Sequence, residues 1–316
     1  MIVALAGGVG AARLLTGVVK VADPRRVTAV VNTGDDAVLH GLSISPDLDT
    51  VTYTLAGAIN PDTGWGRAGE TWGAMAELGE LSGGRLAWFN LGDRDLGTHL
   101  YRTARLAEGA TLSAVTTEIA SRWGIAAHLV PMTDRRVATR VTLASTGEEI
   151  GFQEYFVGHR HAVAVSSVRF DGVEEAMAAP GVLDAIAGAE AVVICPSNPI
   201  VSIGPILAVP GVADAVMARR DDTVAVSPII AGKALKGPAD RMLAELGHEV
   251  SVIGVARLWA PFAATLVVDD ADAARRRAVE AEGVRCVVAP TVMKGQAEAE
   301  HLARTLLRPR PTAVGQ

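Results

Sequence analysis

Short, unbroken apolar runs punctuate the chain, and polar text with a helical period fills most of the gaps between them. The runs are "IVALA" (2–6), "VTAVV" (27–31), "AVVIC" (191–195), "TVAVS" (223–227), "TLVVD" (from 265) and "CVVAP" (286–290). Successive side chains of a strand point to opposite faces, so an uninterrupted apolar run suits a strand covered on both sides. Between the later runs lie "GVADAVMARR", "PADRMLAELG" and "ADAARRRAVEAEG". Their apolar positions recur every three or four residues, with charged positions between, as in helices that lay one face on a core. Strands alternating with helices predict an α/β protein built on a doubly wound, mostly parallel sheet.

The middle of the chain follows other rules. Residues 70–81 and 111–123 read as helices. From 137 the period becomes two: "VATRVTLA", a turn at "STGEE", then "IGFQEYFV", which predicts a β-hairpin. The simplest layout is a mixed helical and hairpin subdomain over 52–170, inserted between core segments 1–51 and 171–316. The tail "RPRPTAVGQ" is expected to fray.

Composition narrows the partners. The 316 residues are 49% hydrophobic and carry a net charge of −6, so no broad basic surface exists for nucleic acid. The longest apolar region, "AVVICPSNPIVSIGPILAV", is broken by Pro196, Pro199 and Pro205, and the first residues lack a basic leader. A cytoplasmic protein with no membrane partner is expected. Cys195 and Cys286 read as buried, reduced thiols.

Candidate chemistry sits just after the apolar runs. "LAGGVGAAR" (5–13) joins the first strand to a helix starting near Gly10, and Gly8 and Gly10 leave main-chain N–H groups open to an anion. The third glycine of a dinucleotide fingerprint is replaced by Arg13, whose guanidinium could approach phosphates. No phosphate loop of the Walker type is present, since "AGKALKG" lacks the upstream glycine and the Ser/Thr after its first lysine. The second strand runs into "NTGDD" (32–36), followed by "SPDLDT" (45–50). Asp35, Asp36, Asp47 and Asp49 offer oxygen ligands of the kind Mg²⁺ uses together with substrate phosphates, although Asn, Gly and Asp also make ordinary turns. "NLGDRDLGTHLYR" (90–102) places Arg94 between Asp93 and Asp95, as a ligand contact or a solvated ion pair. In "PSNPIVSIGP" (196–205), Ser197 and Asn198 could orient a ligand, and Ser202 with Gly204 could open a helix. "SPIIAGKALKGPAD" (227–240) carries Lys233 and Lys236, in solvent or on phosphate. His159 and His161 lack a third ligand at metal spacing, and no Ser/His/Asp set is evident.

Taken in order, "GGVGAAR", "VNTGDD", "SPDLDT", "GWGRAGETW", "NLGDRDLGTHLYR", "CPSNPIVSIGPIL" and "SPIIAGKALKGPAD" resemble the 2-phospho-L-lactate transferase family of coenzyme F-420 biosynthesis. The likeness runs from residue 1 to about 250 and is weak beyond. It implies a Rossmann-like core with an inserted subdomain that helps bind a deazaflavin, and a homodimer. It also implies a reaction. The deazaflavin alcohol Fo accepts a phosphoenolpyruvyl or 2-phospholactyl group from a guanosine diphosphate-linked donor, GMP leaves, and Mg²⁺ is the cofactor. The Ala- and Arg-rich, lysine-poor composition tilts the expected donor toward phosphoenolpyruvate. By position, the likeness implies that Asp49 and Arg94 contact the deazaflavin and that Asp35 and Asp36 bind metal or activate the hydroxyl. The glycine turn, Asn198 and Lys233 would hold the guanosine diphosphate. One departure is Ala11, where many members have glycine; a positive φ there would be strained.

From these assignments Asp36 or Asp49 is expected to take or orient the hydroxyl proton, with Arg13 and Lys233 adding positive charge. Exchanging Asp49 for alanine is expected to stop turnover and spare the fold. Trp65, Trp72 and Trp88 offer flat surfaces to the ring, or form core. Two rivals stay open: a nicotinamide-dependent oxidoreductase, and a non-catalytic nucleotide-sugar-binding regulator of the gluconeogenesis-factor type.

Overall fold

The computed structural model describes residues 1–308; the tail expected to fray lies, from 309 on, outside the described residues. Seven strands form the central sheet: β1 (Ile2–Ala6), β2 (Val27–Val31), β3 (His128–Pro131), β4 (Ala191–Ile194), β5 (Thr223–Val226), β6 (Thr265–Val268) and β7 (Arg285–Val288). Their spatial order is β7-β6-β5-β4-β1-β2-β3 and every pairing is parallel. Strand order reverses between β1 and β4. A crevice forms outside the carboxyl ends of strands at such a reversal, because the chain leaves in opposite directions on either side.

The sheet is buried on both faces, as its apolar runs predict. Along β1, Val3 and Leu5 join one hydrophobic cluster, whereas Ala4 and Ala6 join another on the opposite face. Small residues on that second face let α1 (Gly8–Val21) lie close, and α1 in turn packs on the helix Gln296–Leu306. A side chain at Gly17 would lie 2.1 Å from the Ala299 carbonyl oxygen, so glycine permits this helix crossing.

After β2 the chain makes a small antiparallel hairpin, Ala37–Leu39 with Leu42–Ile44, and then α2 (Pro46–Leu55). The helices expected over 70–81 and 111–123 are α3 (Gly73–Ser82) and α5 (Leu112–Arg122), with α4 (Asp93–Ala107) between them. Two expectations for the middle of the chain need correction. β3 lies inside the span read as an insert, yet it is the edge strand of the main sheet and α5 packs on it. The hairpin is present as Ala138–Leu143 paired with Glu149–Gly151, but its second strand is short, because Glu154–Gly158 winds into a helical turn of π type. The partner on the other side is Val165–Asp171, which completes a three-stranded antiparallel sheet. Among the described residues no single helix is long and apolar enough to cross a membrane.

Candidate active site at the strand-order reversal

Asn32, the first residue after β2, organises the crevice. It is fully buried; its Nδ2 donates to Asp47 Oδ2 at 2.9 Å and to the Val201 carbonyl at 3.3 Å, and its Oδ1 accepts the Gly34 N–H at 2.8 Å. Ser197, after β4, donates its Oγ–H to the Gly7 carbonyl at 2.7 Å. The turn after β1, the acidic loop after β2, the first turn of α2 and the loop after β4 therefore meet at one place on the sheet edge. The three-stranded sheet braces the acidic loop from outside: Thr139 N–H donates to the Gly34 carbonyl at 2.7 Å and Gln153 Nε2 to the Asp35 carbonyl at 3.1 Å.

Three carboxyl groups converge here. Asp35 is buried and its Oδ1 has no hydrogen-bond partner; burial first, and then the Asp47 charge, push its pKa well above the usual carboxylate range. Asp36 accepts the Ser45 hydroxyl on Oδ2 at 2.7 Å, while its Oδ1 is buried without a partner, and burial raises its pKa too. Asp47 is pushed up to about 6 by burial, with the Asn32 amide and the Gly8 main chain pulling the other way. Carboxylate oxygens that are buried, unpartnered and mutually repulsive are the donor set a hard divalent cation compensates. Asp35 and Asp36 thus fit Mg²⁺ held by few protein ligands.

Asp49 does not join this set. Both its oxygens bind the Arg102 guanidinium, at 3.1 Å from Nη1 and still closer to Nη2, and both residues are buried. Burial works against the Arg102 charge, yet the charge and hydrogen bonds of Asp49, helped by Asp36, hold its pKa above the ordinary value. His99 Nδ1 lies 3.3 Å from Arg102 Nη1 and its Nε2 lies 3.5 Å from Asp95 Oδ2, while Tyr53 donates its hydroxyl to Asp95 Oδ1 at 2.6 Å. Asp49, Asp95 and His99 are, among the described residues, where three possible metal-ligand atoms come together. Arg102 already fills the Asp49 oxygens, so this is a buried ion-pair network. Sequence reasoning missed it. The available signal was the i, i+4, i+7 spacing of Asp95, His99 and Arg102, which puts all three on one face of α4.

The other expected residues divide. Gly8 has φ +71°, the left-handed conformation that lets α1 begin directly at the strand end. Gly10 is needed for packing: a side chain there would meet the Pro196 carbonyl oxygen at 2.5 Å. Ala11 is buried within α1 and carries no positive φ, so alanine is unstrained. Arg13 turns aside and donates from Nη1 to the Met293 carbonyl at 3.2 Å, lining a cleft of about 230 Å³ with Val9, Asn60, Gly64 and Lys294. Asn198 Oδ1 caps the turn Pro199–Ile203 by accepting the Ile200 and Val201 N–H groups, the role expected of Ser202. Arg94 is exposed on the first turn of α4, with Nη1 3.5 Å from the Ala68 carbonyl. Lys233 is exposed on the short hairpin Ile229–Ile230 with Lys233–Ala234, whereas Lys236 reaches the Thr63 carbonyl at 3.0 Å. Trp65, Trp72 and Trp88 are 57%, 47% and 38% exposed and so are not core. Both cysteines are buried and free.

A doubly wound parallel sheet with a buried acidic cluster against a glycine turn, at the edge where such sheets bind phosphates, points to an enzyme of phosphate chemistry on a Rossmann-like scaffold. Comparison with known proteins makes this specific: residues 2–301 match the family model "2-phospho-L-lactate transferase CofD", and the chain belongs to that family. The match extends well past 250, so the weak likeness expected for the last helices and strands reflects their lack of motifs rather than an unrelated segment. The "Phosphoenolpyruvate transferase" of Kitasatospora aureofaciens is 45% identical over 310 residues, 97% of this chain and 96% of the relative. That of Streptomyces griseus subsp. griseus is 44% identical, covering 97% of each chain, and that of Mycolicibacterium smegmatis is 43% identical, covering 92% and 93%. Among solved structures, a UPF0052 family member from Bacillus halodurans superposes with a TM-score of 0.61 at 16% identity, covering 97% of this chain and 98% of that one. A second structure of a Bacillus halodurans protein gives 0.64, again at 16% identity, covering 97% and 99%. These shared structures establish the fold.

Proposed function

We propose that the chain transfers the phosphoenolpyruvyl group of a guanosine diphosphate-linked donor to the ribityl hydroxyl of the deazaflavin alcohol Fo, releasing GMP and forming dehydro coenzyme F-420-0. Relatives named phosphoenolpyruvate transferase at 43–45% identity over nearly the whole chain support this donor over the 2-phospholactyl one. The observation that carries the reading is the junction of the acidic loop with the glycine turn, made by Asn32 and Asp47 at the strand-order reversal.

The hydroxyl oxygen of Fo attacks the phosphorus bearing the three-carbon acid, the bond to the GMP oxygen breaks, and the hydroxyl proton passes to a carboxylate. Asp36 suits that last role: Ser45 fixes its Oδ2, Oδ1 is left free to accept, and burial raises its proton affinity. Asp49 is unsuited, because Arg102 holds both its oxygens. Asp35, whose Oδ1 is buried without a partner, would hold Mg²⁺, and the ion when bound would supply charge stabilisation to phosphate oxygens and to the departing GMP. Arg94, exposed on the first turn of α4, would add positive charge for the acceptor.

The decisive experiment incubates the protein with Fo, Mg²⁺ and each guanosine diphosphate-linked donor and weighs the products. The expected result is Fo enlarged by the phosphoenolpyruvyl group, with GMP formed in equal amount. Unchanged Fo with both donors overturns the reading.

A further inference from the structure

We propose that Arg102, oriented by His99, is a positioning residue for the transfer reaction: it holds the first turn of α2 so that Ser45 and Asp47 present the acidic site. The inference rests on the functional reading above and goes beyond it, since it gives a role to Arg102 and His99, which the sequence did not single out, through their hold on Asp49.

The geometry is a lever of five residues. Ser45, the residue before α2, donates to Asp36; Asp47, in the first turn, meets Asn32 and the glycine turn; Asp49, two residues on, turns the other way to Arg102. Two of the three anchors of this turn thus belong to the crevice, and the third belongs to α4. Arg102 Nη1 also lies 3.4 Å from the Ser43 carbonyl, so the guanidinium ties both the approach to α2 and its first turn. A planar fork fixes a carboxylate in two directions at once, which a single ammonium cannot do.

His99 makes the fork directional. Arginine can only donate, so His99 Nδ1 is the acceptor for Nη1, and its Nε2 faces Asp95 Oδ2 at 3.5 Å. Asp95 is fixed in turn by Tyr53, and its main-chain N–H by Glu70 Oε1 at 2.9 Å. Tyr53, Asp95, His99, Arg102 and Asp49 thus form one buried cluster between α4 and α2, hydrogen-bonded throughout except where His99 Nε2 faces Asp95 Oδ2 at 3.5 Å without a hydrogen-bond partner. On α4, an otherwise polar helix, His99 and Arg102 are the buried residues. Two buried polar side chains at the positions where apolar ones would pack call for a reason, and orientation of α2 supplies one.

The test uses the full chain with Arg102→Lys, His99→Gln and His99→Leu. It measures kcat and KM for both substrates, thermal unfolding, and the affinity for Mn²⁺ by electron paramagnetic resonance. Arg102→Lys keeps the charge and loses the fork; kcat is expected to fall by about 100-fold while both KM values stay within about threefold. His99→Gln keeps an acceptor for Nη1 and is expected to retain kcat within about fivefold, whereas His99→Leu falls as Arg102→Lys does. Mn²⁺ affinity is expected to weaken by about tenfold in Arg102→Lys and His99→Leu and to be unchanged in His99→Gln. A kcat within threefold of the parent in Arg102→Lys, or equal losses in His99→Gln and His99→Leu, overturns the proposal. Should the parent chain transfer nothing to Fo, the functional reading fails by itself. The Mn²⁺ affinities then decide: equal values in the parent and Arg102→Lys overturn the positioning role, and the graded loss supports it.

Discussion

Asn32 Nδ2 sits 2.9 Å from Asp47 Oδ2, joining the carboxyl end of the strand at 27–31 to the first turn of the helix at 46–55. Both residues are buried, so the bond replaces water that neither group can reach. The same amide accepts the Gly34 N–H and donates to the Val201 carbonyl, so one side chain ties three segments: its own loop, the helix at 46–55 and the turn Pro199–Ile203. A leucine or an aspartate in its place could not do this: the first has no polar atoms, and the second would add a fourth carboxylate to a site already short of positive charge.

Asn32→Leu should therefore destabilise the chain by about 2–4 kcal/mol, more than one neutral hydrogen bond, because several buried partners are orphaned together. Urea unfolding followed by circular dichroism measures it. A loss below about 1 kcal/mol would show that water reaches these groups after all.

The acidic site also sets a pH dependence. Asp47 titrates near 6 in the folded chain against an ordinary value of 3.8, and Asp35 and Asp36 are raised as well. The folded state then holds protons that the unfolded state has released. Their contribution to stability is full below the unfolded pKa and is lost as pH rises through the folded one. A divalent cation binds the deprotonated form and should offset that loss. Mg²⁺ is therefore expected to raise the melting temperature more at pH 8 than at pH 5, and Asp35→Asn should abolish most of the difference. Equal Mg²⁺ shifts at both pH values would exclude cation binding at these carboxylates.

How much of this was legible beforehand follows from what each signal depends on. The buried strands were plain because both faces are covered, so their apolar runs are unbroken. The edge strand "HLVP" escaped notice because His128 is exposed and a proline ends the run. The glycine turn and acidic loops were plain because a parallel sheet delivers the residues after its strands to one edge, whatever the helices do. The roles of Arg13, Asn198 and Asp49 were not, since each depends on which neighbour arrives first: the Met293 carbonyl, the N–H groups of the following turn, and Arg102. An arginine in a polar helix looks solvated until the partner helix is in place.

Two glycines of similar appearance in the sequence should behave oppositely. Gly10 faces the Pro196 carbonyl oxygen, 2.5 Å from where a side chain would begin, and both groups are backbone. Gly10→Ala should cost about 1–3 kcal/mol, by pushing the first helix off the loop after Ile194. Gly97 lies on the open face of the helix 93–107 with nothing within 4 Å, so Gly97→Ala should gain about 0.5–1 kcal/mol by stiffening the unfolded chain. Denaturant midpoints for the two variants, measured side by side, check the contrast. Same-sign shifts would mean that the first helix can slide.

Asp49→Ala separates the sequence-based expectation from the structural one. Treated as a substrate contact, Asp49 could be removed with the fold intact. Treated as the counter-ion of Arg102, its removal leaves a guanidinium buried at 2% exposure with no carboxylate on its fork. Breaking a buried pair from one side costs about 3–5 kcal/mol, far more than an exposed pair is worth. Asp49→Ala should thus lower stability by that amount, and the double variant Asp49→Ala/Arg102→Met should lose much less than the sum of the two single changes, because no buried charge is left unpaired. A double-mutant cycle of urea unfolding energies reads the coupling directly. If Asp49→Ala unfolds at the parent midpoint yet has no activity, Asp49 meets substrate and the pairing with Arg102 is exchanged during turnover.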